Sequence, residues 1–263
     1  AIETLGQLDY SQISKESSYK VLKKLTNIPF TDAERGKTAL DSLQKILGAR
    51  PHPFTKEELS SIVSNLLDTS KSQDLQESGL KSLNTLIENY DISSSDTKLV
   101  AENVLQMKDT ESMSEFSKIQ IISILDTFDY NLLDSATTTN AVNYLLDTLN
   151  ENVLKKGGSS PIFRNGLSLL SKIPKEKLGT RDKNRIVEKL TGHSEKIGSR
   201  QVLEILNQFD YTKISEKNNK EVLKGVIKGI KSNSRMDRDI KAVEILNKLD
   251  YSKINQEKIP ENI

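Results

Sequence analysis

Apolar residues recur along this chain at the spacing of an α-helix, in blocks that come two by two. Ala141, Val142, Leu145, Leu146 and Leu149 follow the i, i+1, i+4, i+5, i+8 pattern of one helical face. Val222, Leu223, Val226, Ile227 and Ile230 do the same, and Ile62, Val63, Leu66 and Leu67 repeat the centre of the pattern. A second kind of block runs into a short polar joint: Ile121, Ile122, Ile124, Leu125 and Phe128, or Ala242, Val243, Ile245, Leu246 and Leu249. Helix starts are marked as well. Thr55 with Glu58 makes a capping box, Ser215 precedes the block at Val222, and Pro161 after Ser160 suits a first turn, where a missing N–H costs nothing. Strand alternation is scarce and only 5% of residues are aromatic, so the pattern predicts an all-α chain.

The blocks also recur as a unit. "LNQFDYTKI" at Leu206–Ile214 returns as "LNKLDYSKI" at Leu246–Ile254, and related copies begin at Leu5 and Leu125. Weaker copies start at Leu43, Leu83 and Leu170. The apolar residue three places after each leading Leu falls at Leu8, Ile46, Leu86, Phe128, Ile173, Phe209 and Leu249, which spaces the copies 38, 40, 42, 45, 36 and 40 apart. A period near forty, held over the whole chain, is an internal repeat of two helices. It predicts one array over residues 1–263, with repeats at about 11–48, 49–88, 89–129, 130–174, 175–210 and 211–250 and partial ones at 1–10 and 251–263. An amphipathic helix of ~12–16 residues is marginal alone in water, so stacked pairs are needed to make the core continuous. The Asp-Tyr step of the joint is expected to form an Asx-turn. Tyr10, Tyr130, Tyr211 and Tyr251 are expected to pack between repeats with their hydroxyls reaching water. The partial copies at both ends predict a piece of a longer array.

Paired helices at this period resemble HEAT and armadillo repeats over essentially the whole chain. The resemblance implies a right-handed, curved α-solenoid of about six stacked pairs, in which the second helices line a concave groove for a protein or an extended peptide. Two polar residues precede the marker in most copies: Gln44-Lys45, Asn84-Thr85, Asp126-Thr127, Ser171-Lys172, Asn207-Gln208 and Asn247-Lys248. On successive second helices they form a ladder, with Asn84, Asp126, Lys172, Asn207, Gln208, Asn247 and Lys248 as candidate partner-binding residues. By resemblance to armadillo grooves, Asn84, Asn207 and Asn247 would hold a peptide backbone, since an amide both donates and accepts. The competing reading is that a second helix simply needs polar residues on its outer side.

Charge adds a second candidate surface. Residues 1–150 carry 14 Lys and Arg against 22 Asp and Glu, a net of −8; residues 151–263 carry 24 against 15, a net of +9. Lys220, Lys224, Lys228, Lys231, Arg235 and Arg238 make a basic stretch. Nucleic acid would use such a cluster, but no aromatic residue interleaves it to stack on bases and acids interrupt it. Solvated helix faces, an acidic protein partner and nucleic acid all stay open for this stretch.

Catalytic chemistry is sparse. Cysteine is absent, which removes disulfides, thiolate metal sites and cysteine nucleophiles. His52 and His193 are the only histidines, about 140 positions apart, and neither has a ligand partner at metal spacing on a shared helix. No phosphate-binding or nucleophile-elbow motif occurs. The expectation is therefore a non-catalytic scaffold without metal or cofactor, with nucleic-acid binding or a structural spacer as the other readings. No run approaches the ~18 apolar residues of a membrane span. Neither a signal peptide nor an initiating Met is found, so a processed or excised cytoplasmic protein is expected, with a cysteine-free bacterial surface or secreted protein also open. The opposed halves predict head-to-tail self-association, which sedimentation at low salt checks: a concentration-dependent rise in mass supports it, and monomer at every concentration refutes it.

Overall fold

The computed structural model describes residues 4, 8–9, 12–25, 33–49, 54–107, 113–192, 199–232 and 236–254. Among them thirteen α-helices and four 3₁₀ turns occur, and no strand. The chain divides into two compact units, residues 1–128 and 129–263. The first holds α1 (Lys15–Leu25), α2 (Ala33–Ala49), α3 (Lys56–Ser70), α4 (Gln76–Asn89), α5 (Ser94–Gln106) and α6 (Glu115–Asp126). The second holds α7 (Ser135–Thr148), α8 (Glu151–Lys156), α9 (Pro161–Lys172), α10 (Thr180–Thr191), α11 (Arg200–Leu206), α12 (Glu216–Ser232) and α13 (Met236–Lys248). Its 3₁₀ turns are Gly157–Ser159, Lys175–Lys177, Tyr211–Lys213 and Tyr251–Lys253.

The helices start where the polar signals stand. The Thr55 side chain accepts from the Glu58 N–H and the Glu58 side chain accepts from the Thr55 N–H, a complete capping box on α3. Ser93, Ser114, Asp134, Asn150, Ser160 and Ser199 each accept a bond from an N–H three residues on, at the starts of α5, α6, α7, α8, α9 and α11. Pro161 occupies the first turn of α9.

Each unit is built of two rows of helices. In the first, α2 packs on α4 and α4 on α6, while α3 packs on α5 and on its own partner α4. In the second, α9, α11 and α13 pack in sequence, as do α7, α10 and α12. The apolar faces meet along these rows: Leu40, Leu43, Leu80, Leu83 and Leu86 are fully covered in the first unit, Leu167, Leu170, Ile205, Leu206 and Ile245 in the second. Close approach depends on small residues. A Cβ on Gly79 of α4 would stand 2.4 Å from the Ser70 Oγ and 3.2 Å from the Ser70 Cα and N at the end of α3.

The joints carry the detail. Asp129, Asp210 and Asp250 accept from the backbone N–H two residues on, Asn131 at 2.9 Å, Thr212 at 3.2 Å and Ser252 at 3.2 Å, which are the expected Asx-turns. The tyrosines depart from expectation. Tyr130 and Tyr211 are buried, not wet at the hydroxyl. The Tyr211 hydroxyl donates to the Leu206 carbonyl at 2.9 Å, and Tyr251 repeats the bond to Leu246 at 2.9 Å. The reason is that the last carbonyls of a helix lack an intrahelical donor, and a phenol five residues on reaches one of them. Burial pushes the Tyr211 phenol well above its ordinary pKa. Tyr10 lies outside the described residues.

Lys175 stands where the other joints have tyrosine. Its ammonium is buried and donates to the carbonyls of Leu170 and, at 2.7 Å, Ile173, with the Phe209 ring centroid 5.8 Å away. Burial drives its pKa down to about 8, partly opposed by Glu176. Two positions further on in the joints, Lys177 donates to the carbonyls of Tyr130, Asn131 and Leu133 at 2.7, 2.8 and 2.6 Å. Lys253 likewise reaches the carbonyls of Thr212 and Ile214. Each lysine ties its own joint to the joint about forty residues earlier.

Helix propensity favours alanine over glycine by about 1 kcal/mol, yet Gly79→Ala should lose about 1 kcal/mol net in urea unfolding, because its Cβ meets backbone. Gly158→Ala, with nothing within 4 Å of the added atom, should stay within about 0.5 kcal/mol of wild type. At Lys175 the folded pKa, about 8, lies below the ordinary 10.5. Between those values the unfolded chain keeps a proton the folded protein has released, so this residue opposes folding fully below pH 8 and progressively less toward pH 10.5. Lys175→Tyr should therefore be more stable than wild type at pH 7, by up to about 3 kcal/mol, with an advantage that shrinks by pH 10. An advantage constant with pH would refute the buried charge.

Candidate functional site

The polar ladder lies on the final turns of the second helices, where the backbone has just left the apolar row. Asn84 is in α4; Asp126 and Lys172 are the last residues of α6 and α9; Asn207 and Gln208 follow α11; Asn247 and Lys248 close α13. Lys172, Gln208, Asn247 and Lys248 are exposed, whereas Asn84, Asp126 and Asn207 are half-buried.

In the second unit the structure brings the rungs together. The Asn207 amide donates to Glu244 of α13 at 2.6 Å, and the Lys248 ammonium donates back to the Asn207 carbonyl at 2.6 Å. The Gln208 amide donates to the Ser171 carbonyl at the end of α9 at 3.3 Å. Glu244 also receives Lys241 at 2.9 Å, and that bond, with help from Asn207, holds its carboxyl below the usual range. In the first unit Asn84 donates to Glu88 one turn on at 2.9 Å.

These bonds change what the asparagines can do. The amide nitrogens of Asn84 and Asn207 are engaged within the protein, and their side-chain oxygens are covered with no hydrogen-bond partner. A peptide backbone would have to displace existing contacts to use either amide. Asn247 is the rung whose amide stands in the open. The surface the ladder presents in the second unit is thus an amide-bearing, cationic strip: Lys172, Gln208, Asn247 and Lys248.

The basic stretch is largely balanced along its own helix. Lys220 of α12 is half-buried and pairs with Glu216, Lys224 pairs with Glu221 at 3.0 Å, and Lys217 reaches Glu188 of α10 at 2.6 Å. Lys228 is exposed on the same helix. Lys231 lies in α12 and Arg238 in α13, while Arg235, His52 and His193 lie outside the described residues.

Sequence reasoning missed three groups. Lys175 and the paired lysines Lys177 and Lys253 were signalled only by position: aligned joints put Lys at the fourth place after the marker in three successive copies. Asn218 and Asn219, near the start of α12, are buried. Asn219 donates to the carbonyls of Tyr211, Ile214 and Ser215, and its oxygen accepts from the Asp250 N–H. Asn218 donates to Asn184 of α10. A third feature is a cleft of about 530 Å³ in the second unit, where Asp147 and Glu151 face Arg185 and Lys189 of α10. Arg185 lies 3.5 Å from Asp147 and bonds Asn143. Facing acids and bases on different helices leave no local signature in sequence.

Among the described residues, no three His, Asp or Glu side chains gather as a metal site, and no helix is long and apolar enough to cross a membrane.

No known family's sequence pattern matches the chain, and no curated protein matches it significantly. The chain is similar in structure to a crystal structure titled as an engineered protein from a structural genomics consortium. The TM-score is 0.57 at 14% sequence identity, over 89% of this chain and 98% of that one. At that identity the likeness concerns the fold alone.

Proposed function

We propose that the chain is a HEAT/armadillo-like right-handed α-solenoid of about six helix pairs that acts as a non-catalytic scaffold, binding a protein or extended peptide along its second helices. The ordered packing of α2, α4 and α6 in one unit, and of α9, α11 and α13 in the other, supports the solenoid. The observation that carries the binding reading is the cationic strip of Lys172, Gln208, Asn247 and Lys248. Its spacing is held by the Asn207–Glu244, Lys248–Asn207 and Gln208–Ser171 bonds. Because the exposed strip carries positive charge and amides, the partner it fits is an extended segment rich in Asp and Glu. Its affinity would be built from many weak contacts and its approach steered by charge.

Nucleic acid is the second reading, and the ion pairs of Lys217, Lys220 and Lys224 weigh against it, since phosphate would have to compete with Glu188, Glu216 and Glu221.

The test is fluorescence anisotropy with an acidic extended peptide and, separately, a short DNA duplex, each over a salt series. The peptide should bind saturably, and Lys172→Glu with Lys248→Glu, both at exposed positions, should weaken it about tenfold, or about 1.4 kcal/mol. Unchanged peptide affinity in that variant refutes the strip. Duplex binding with a steep salt slope moves the function to nucleic acid. Binding of neither favours a spacer.

A further inference from the structure

The two near-identical joints have different surroundings. Leu206–Ile214 and Leu246–Ile254 share six of nine residues. Around the first copy, Leu203, Leu206 and Tyr211 are 3%, 0% and 1% exposed. Their counterparts forty residues on are Val243, Leu246 and Tyr251. Val243 and Tyr251 are each 51% exposed, and Leu246 is half-buried. Ile240 adds to this face at 54% exposure; its counterpart, Arg200, is exposed too but is charged and bonded to Glu204 at 2.7 Å. An apolar residue thus replaces a solvated one at the edge of an already apolar face.

What covers the first copy is known in detail, because it belongs to this chain. The α12–α13 pair lies over α11 and the Tyr211 turn. Ala242, Ile245 and Leu249 supply buried apolar surface. Glu244 accepts from the Asn207 amide, Lys248 donates to the Asn207 carbonyl, and Lys253 donates to the carbonyls of Thr212 and Ile214. The second copy keeps the partners of these bonds: Asn247 stands for Asn207, and the carbonyls of Ser252 and Ile254 stand for those of Thr212 and Ile214.

We propose that the Ile240–Val243–Leu246–Tyr251 face of α13 is a docking surface for one further helix pair of the kind residues 215–254 themselves form. The occupant presents apolar residues at the positions of Ala242, Ile245 and Leu249. It carries a Glu to meet Asn247, a Lys to meet the Asn247 carbonyl, and a second Lys to reach the carbonyls of Ser252 and Ile254. The face continues the α9–α11–α13 row, so its shape and its polar stations are those of a contact the unit already makes once. It is separate from the strip of exposed rungs, and this assignment does not depend on what that strip binds.

The probe is a synthetic peptide of residues 215–254, titrated into the full chain labelled for NMR. Saturable shifts at Val243, Leu246 and Tyr251 are expected, with affinity lowered at least tenfold by Val243→Glu at its exposed position and unchanged by Lys224→Ala. A second measurement covers a peptide that does not fold alone. The full chain with an added copy of residues 215–254 joined after Ile254 should show at least tenfold slower amide exchange in α13 than the chain without it. Absence of both effects, shifts that persist in Val243→Glu, or shifts confined to Lys172 and Gln208 would overturn the proposal. So would a dimer of the chain alone that Val243→Glu dissolves, since the face would then belong to a second copy.

Discussion

The last carbonyls of a helix have no donor within it, and in the second unit the turns that follow α9, α11 and α13 each supply one. Tyr211 donates to Leu206, Tyr251 to Leu246, and Lys175 to Leu170. The donor comes from five residues on, so the chain must leave the helix in one direction to make the bond. The Asp of the same joint then fixes the turn by accepting from the N–H two residues later. Direction, turn and the next helix start are therefore set together. Without that agreement the apolar stripes of neighbouring pairs would not face one another, and helices of 12–17 residues such as α9, α10, α12 and α13 have little stability of their own.

The same joints also bind one another. Lys177 gives its ammonium to three carbonyls of the preceding joint, which matches the three donors of that group, and Lys253 reaches two. Lysine suits this task because its long stem crosses the gap along apolar surface while the head finds oxygen. Asn219 performs the parallel task from α12, holding one joint by its amide and the next by its oxygen. The result is a polar seam beside an apolar one, and each backbone carbonyl it satisfies would otherwise weaken the contact between neighbouring helices.

This construction limits what remains for binding. Where a half-buried polar side chain stitches neighbouring helices, as Asn207 does, a partner would have to displace that bond to use it. What stays exposed is the outer remainder: Lys172, Asn247 and Lys248, and the apolar edge of α13. A stitched row also holds these groups at fixed spacing, which lowers the ordering cost of any extended partner that matches it.

Much of the helical pattern was legible along the chain, because its causes are local. Periodic apolar residues define a face within one helix, Thr55 with Glu58 closes a cap within one turn, and an Asp makes its Asx-turn two residues away. Tyr211 and Lys175 show where local reading stops. The tyrosine was expected to keep its hydroxyl in water, but that hydroxyl turns to the Leu206 carbonyl, as that of the exposed Tyr251 turns to Leu246, and tertiary packing then buries the first ring. The same burial makes Lys175 a dry ammonium rather than a surface charge. Asn207 and Asn247 likewise hold equivalent places in the ladder, and only the approach of α13 engaged the first while the second stays exposed. Sequence by itself determined which residues form helices and where each begins, since those choices are made among neighbours within a turn or two. Tertiary structure alone decided which polar groups are spent and which are offered, since that depends on distances between residues some forty positions apart.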